Sequence, residues 1–403
     1  MIYDVDFEDT IREFDYTKRA IKGMHRIVNS EEFQEMDSEA IFEYLYQGME
    51  LVSFKDYLKR YLYERAGIRE KFSEIDDSVY REIINDAFNE NAAPHSFNPT
   101  TKKWTAIMKG WLSASCVKRQ TVFLLGFGLR MQVEDVSDFL VKIIKEEDFN
   151  FYDQEEVIYW YCFSNHKGYL QAKRLLEKYD KELPAESFKQ YSGKKFEEIW
   201  NHEDTEEIKE EKLLQYLSWL KSSGICENNR KRAYRSFESL LENAKEIIAD
   251  IYNRDAEEAN KKQKWNAEKI TPGDVEKIIC SGIPMNENGN LKRMSASLLQ
   301  KQFQQYRISR QRIDGILKGK LPVERFDILT LNFFIYSQRE EQSAEERCRD
   351  FVKNTNAILR GCGMLEIYPV NPYETYILIC LLSECPLAIY SDIWELSYQN
   401  ETI

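Results

Sequence analysis

Glycine and proline are scarce, 16 and 9 in 403 residues, and strand-type alternation is nearly absent. Few backbone breakers and many charged side chains favour a helical, soluble protein. Cysteine gives no metal signature. The eight are scattered, none forms a CxxC pair, and Cys380 and Cys385 stand five apart with no histidine cluster nearby. They read as reduced core cysteines, Cys162 and Cys380 above all, which argues against a zinc site and for a cytosolic location. The four histidines, His25, His95, His166 and His202, lie far apart in sequence. HExxH, P-loop, GxSxG and GxGxxG motifs are missing, and Gly126 and Gly128 lie in an apolar helical run without the rest of a nucleotide fingerprint. No catalytic, cofactor-binding or metal-binding residue is therefore expected. No apolar run reaches bilayer length. The best, Tyr376 to Tyr390, is broken by Glu384 and Pro386 and reads as buried helix, so no membrane association is expected. Met1 leads into Asp4, Asp6, Glu8 and Asp9 with no basic-then-apolar pattern, so a cytoplasmic protein is expected.

What is present is ample apolar material, 43% with 13% aromatic, and an acidic balance of −13. The length suggests two or three units. Helical spacing recurs along the chain, as in Leu213, Leu214, Leu217 and Leu220, or Phe237, Leu240, Leu241, Ala244 and Ile248. The short pieces from Phe149 to Tyr152 and from Leu365 to Tyr368 read as loops. We expect an all-α fold of two helical bundle units joined by a charged helical region: 1–175, 176–266 and 267–403. The Glu203 to Lys212 run reads as a solvated helix face. Ala256 to Lys264 suits a connector, and a new helix starts at Thr271, with Pro272 in its first position and Asp274 in its first turn.

Against the acidic whole, residues 292–325 reverse the sign. Lys292, Arg293, Lys301, Arg307, Arg310, Arg312, Lys318, Lys320 and Arg325 face only Asp314 and Glu324. Such a block is the electrostatic footprint of phosphate binding. Ser309 caps an expected helix that exposes Arg310, Gln311 and Arg312 in its first turn. Ile313, Ile316 and Leu317 form its buried stripe, and Gly319 stops it. Arg307, Arg310, Gln311, Arg312, Lys318 and Lys320 are the candidate contacts to double-stranded DNA. The competing reading is a solvated face paired with the protein's own acids.

The two units read as diverged copies. Val117, Arg119, Leu125 and Phe127 match Val323, Arg325, Leu331 and Phe333 without gaps. Val122, Phe123 and Leu129 meet Ile328, Leu329 and Ile335. Further on, Glu156 to Cys162 lies over Glu374 to Cys380. Chance similarity between apolar helices competes with duplication, but the ordered series of matches favours duplication.

This pattern resembles the phage-repressor-like (Xre-type) helix-turn-helix family, which implies a five-helix bundle. Arg119 to Leu129 and Arg325 to Ile335 look like the helix after the recognition helix. Gln132 to Leu140 and Arg349 to Leu359 look like the helix that follows. By the same resemblance, Ser78 to Asp86 would be the first unit's recognition helix, although it carries two acids and one arginine. That unit's cations come later: Lys102, Lys103, Lys109, Lys118, Arg119 and Arg130 lie between Asn91 and Val133 with no acid among them. Trp104 and Trp111 are interleaved. Two readings stand, core tryptophans with solvated lysines or a second phosphate-contacting surface. A further basic cluster, Arg230 to Arg235, begins a helix after Asn229 and suits plain surface charge.

The leading expectation is a non-enzymatic, transcription-regulatory DNA-binding protein. The alternative is an all-helical adaptor that uses a repressor-like scaffold to contact a protein partner. A third possibility rests on Arg19 and His25, whose spacing resembles the Arg-to-His motif of HEPN ribonucleases. Ala20 stands where that motif commonly has Asn or Asp.

Overall fold

A computed structural model describes residues 36–47, 53–98, 103–181, 184, 191, 195–259, 264–281, 303, 306–339, 341–368 and 371–399. Arg19 and His25 lie outside them, as do Lys102, Lys292, Arg293 and Lys301. The fold is all-α, and no strand occurs among the described residues. No helix there is long and apolar enough to cross a membrane. By contacts the chain divides into two compact units, 50–231 and 1–49 with 232–403. The charged stretch set apart at 176–266 is thus shared between them, split after Lys231.

The first helix, α1 (Ser38–Gln47), belongs to the second of these units; in the 50–231 unit α2 (Phe54–Ala66), α3 (Asp77–Glu90), α4 (Trp104–Ser113) and α5 (Arg119–Gly128) follow. Then come α6 (Val133–Asp138) with a π-helical turn at Phe139–Ile143, α7 (Gln154–Ser164), α8 (Tyr169–Lys181) and α9 (Glu206–Ser223). α2, α3 and α4 pack on one another, and α3 also packs on α5. That last contact needs Gly128, because a Cβ there would lie 2.0 Å from the buried Phe88 ring. The unit's many aromatics form its core. Phe127 packs against Tyr159 and Phe163, and Phe88 against Trp104 and Trp111.

The other unit contains most of α10 (Ile225–Glu258), then α11 (Pro272–Ile279), α12 (Arg310–Leu317), α13 (Arg325–Ser337), α14 (Ala344–Gly361), α15 (Pro372–Leu382) and α16 (Pro386–Gln399). α10 is continuous through Asn228 and Asn229, so no new helix begins at Arg230 as the sequence suggested. Thr271 caps α11 with Pro272 first and Asp274 closing a capping box, as its sequence dictates. α15 (Pro372–Leu382) ends at Ser383, and Pro386 opens α16. Stacked rings fill the centre: Phe303 on Tyr376 at 4.7 Å, and Tyr376 on Tyr390 at 4.8 Å.

One hydrogen-bond set recurs in both units at the positions that match in sequence. Arg119, first in α5, donates to both Glu156 oxygens at 2.8 and 2.6 Å and to the Asp148 carbonyl at 2.6 Å. Arg325, first in α13, donates to Glu374 at 2.7 Å and to the Glu366 carbonyl. Each glutamate also accepts a backbone N–H from six residues before it, Asn150 or Tyr368. Each sits in the first turn of a helix whose cap, Asp153 or Asn371, takes two N–H groups. Cys162 and Cys380 are both buried without disulfides, and burial pushes both thiols up. Val122, Leu125, Leu129, Ile328 and Leu331 are all buried, whereas Ile335 is only half-buried, unlike its expected counterpart Leu129.

The match extends backwards. α4 starts at Trp104 and α5 at Arg119, while α12 starts at Arg310 and α13 at Arg325, so both pairs of starts are fifteen residues apart. α4, not the Ser78 to Asp86 stretch inside α3, is therefore the helix that precedes the arginine-led helix of its unit.

Candidate nucleic-acid interface

α12 begins where the sequence places it. The Ser309 hydroxyl accepts the Arg312 N–H at 3.2 Å, leaving the first turn free of acids. Ile313 and Ile316, three apart, are buried and fix the helix on its unit, with α11 as a packing partner. The helix ends at Leu317, and Gly319 takes a left-handed φ of 65°. The chain then folds back, so that Lys320 and Leu321 both donate N–H groups to the Gly315 carbonyl. A Cβ on Gly315 would lie 2.6 Å from Leu321.

Of the six candidate contacts, the structure separates two from four. Arg312 does not point outward. Its guanidinium donates to both oxygens of Asp327 at 2.6 Å, lies 3.4 Å from Glu324 and covers the Phe326 ring at 4.4 Å. Its side chain is 12% exposed and that of Asp327 0%. Burial pushes the Asp327 carboxyl up and Arg312 pulls it back. Asp327 also accepts the Glu324 N–H at 2.8 Å, closing the capping box of α13. Arg307 is likewise turned inward, paired with Glu276 of α11. The second Glu276 oxygen accepts the Arg310 backbone N–H at 3.1 Å.

Arg310, Gln311, Lys318 and Lys320 are exposed. Arg310 and Gln311 open the helix, and Lys318 and Lys320 follow its end, about 12 Å away at 1.5 Å rise per residue. Lys318 is 3.9 Å from Asp314, one turn back, a weak surface pair. Leu317 is 37% exposed and Leu321 42%, so Leu317 does not belong to the buried stripe where its spacing put it. The helix ends at that residue.

In the 50–231 unit, α4 buries Met108 and Trp111, also three apart. Trp104 is half-buried; its ring NH donates to Asn85 at 2.9 Å and His95 stacks on it at 4.3 Å. Trp111 is thus core, and Trp104 packs against the same core from its edge. Lys103, Lys109 and Lys118 are exposed.

Comparison with protein-family models, curated proteins and solved structures finds no match.

Proposed function

We propose that the chain is a non-enzymatic, cytoplasmic DNA-binding protein of the transcription-regulatory kind, resembling phage-repressor-like helix-turn-helix proteins, with α12 as its reading helix. The observation that carries this is the division of labour on α12. Ile313 and Ile316 hold the helix and Arg312 ties it to α13, while Arg310 and Gln311 stand outward on its first turn. Arginine makes bidentate bonds to guanine and glutamine to adenine in a major groove. Lys318 and Lys320 suit flanking phosphates, which fix register without reading sequence.

The test is duplex binding over a salt series, with a randomised pool to select the preferred site. Lys318→Ala and Lys320→Ala together should flatten the salt dependence by about one unit per lost phosphate contact, whereas Arg310→Ala should relax preference at one base position. Gln311→Ala should relax preference at one base position at a cost of about 1–3 kcal/mol. A parent protein that fails to bind duplex at low salt refutes the reading. The adaptor reading then takes its place, favoured by the exposure of Leu317 and Leu321 at the same tip.

A further inference from the structure

We propose that α4 of the 50–231 unit is a second duplex-DNA contact, one that grips phosphates without reading bases. The inference rests on the DNA reading of α12 and adds to it a surface on a different unit.

Three observations converge. First, α4 holds the place in its unit that α12 holds in the other, fifteen residues ahead of an arginine-led helix tied by the same arginine–glutamate hydrogen bonds. Both helices are anchored by a buried pair three residues apart, Met108 with Trp111 and Ile313 with Ile316. Secondly, the segment from Asn91 to Val133 contains no Asp or Glu in a chain of net charge −13. Among the described residues, Lys103, Lys109 and Lys118 are exposed, and no ion pair engages them. Arg119, by contrast, is committed to Glu156. Thirdly, the outward face is open. Thr105, Ala106, Lys109, Gly110 and Ser113 are all exposed, and a Cβ on Gly110 would meet nothing within 4 Å.

The residue types set the mode of contact. In the ungapped match that pairs the two helix starts, Trp104 and Thr105 stand where Arg310 and Gln311 stand on α12. Neither offers the two-pronged donor set that distinguishes guanine or adenine. Lysine is a point charge, suited to phosphate. The two helices would thus divide affinity from specificity, α4 adding to the first and α12 supplying the second.

Gly110 gives the cleanest probe, because the site is open and any ordinary residue is a better helix former. In the full-length protein, Gly110→Lys should tighten binding to a fluorescein-labelled duplex of mixed sequence and steepen its salt dependence. Gly110→Glu should do the reverse, with helical circular dichroism unchanged in both. Replacing Lys103, Lys109 and Lys118 by glutamine should remove up to three phosphate contacts. At a slope of about 0.9 per contact, each accounts for roughly a 3.5-fold affinity change between 50 and 200 mM salt, and three for roughly 40-fold. Base preference in a selected pool should stay as in the parent. If these variants bind with the parent's salt dependence while the α12 variants lose theirs, the α4 surface is refuted and the α12 reading stands. If the parent binds no duplex, or retains single-stranded RNA alone, both fall.

Discussion

Arg312→Ala deletes the cation facing a carboxylate that has no solvent exposure. Removing one partner of a buried ion pair leaves an uncompensated charge and costs about 3–5 kcal/mol. Loss of the guanidinium over Phe326 adds to this. Arg310, two residues earlier and exposed, should change stability by no more than about 0.5 kcal/mol when truncated. The assay is urea unfolding followed by circular dichroism for parent, both single variants, and Arg312→Ala combined with Asp327→Asn. With a slope of about 3 kcal/mol per molar urea, the Arg312 variant should lose more than about 1 M in midpoint for the affected transition. The double variant should recover much of it, because asparagine keeps an acceptor for the Glu324 N–H and carries no charge. The deficit should also depend on pH. Burial already raises the Asp327 carboxyl, and without Arg312 it rises further. A raised acid retains its stabilising effect below its ordinary pKa and loses it as pH climbs through the folded-state value. The single variant should therefore be closest to the parent in acid and furthest from it at alkaline pH. An Arg312→Ala protein as stable as the parent, but unable to bind duplex, would show that Arg312 is a reader after all and that the tie to Asp327 has little energetic weight.

Gly128→Ala should destabilise the 50–231 unit by about 1–3 kcal/mol, measured by thermal melting, because the new methyl collides with buried Phe88. Arg325→Met should cost about 3–5 kcal/mol and Arg119→Met less, since Glu374 is 4% exposed and Glu156 15%; equal losses would count against a burial-controlled cost. Burial pushes Glu197 up to about 7 and Asp153 to about 6. Their contribution to stability is present below the ordinary carboxylate range and is lost as pH rises through those values, so the melting temperature should fall between pH 5 and pH 8. Glu197→Gln should flatten that fall, and a variant with the parent's full pH dependence would exclude Glu197 as its source.

The features legible in the sequence are those set by neighbouring residues. Ser309 as cap, Gly319 as stop, and the Thr271, Pro272 and Asp274 start each need only a few residues of context. The direction of Arg312 was not legible from its own helix, because it is decided by Asp327, fifteen residues on. A signal existed: an aspartate inside the apolar run from Phe326 to Phe334 needs a cation when buried. Placing the first unit's equivalent helix at Ser78 to Asp86 followed the family resemblance, against the local charge of two acids and one arginine. The ungapped match of Val117 with Val323, carried back to Trp104 and Arg310, points to α4 instead. Glu156 and Glu374 matched in sequence as single letters. Only their distances to Arg119 and Arg325 show that the matched residues are partners.

The arginine–glutamate tie also marks where these bundles tolerate growth. Its two ends stand 37 residues apart in one unit and 49 in the other, twelve more, yet the bonds close in the same register at both ends. Between them, the short α6 and its π turn in one unit give way to the eighteen-residue α14 in the other. Chain of very different length has thus been accommodated without disturbing the closure. Because lengthening a closed loop adds only about 0.6 kcal/mol per doubling, the stretch inside the tie is the natural place to splice in a reporter or a foreign epitope.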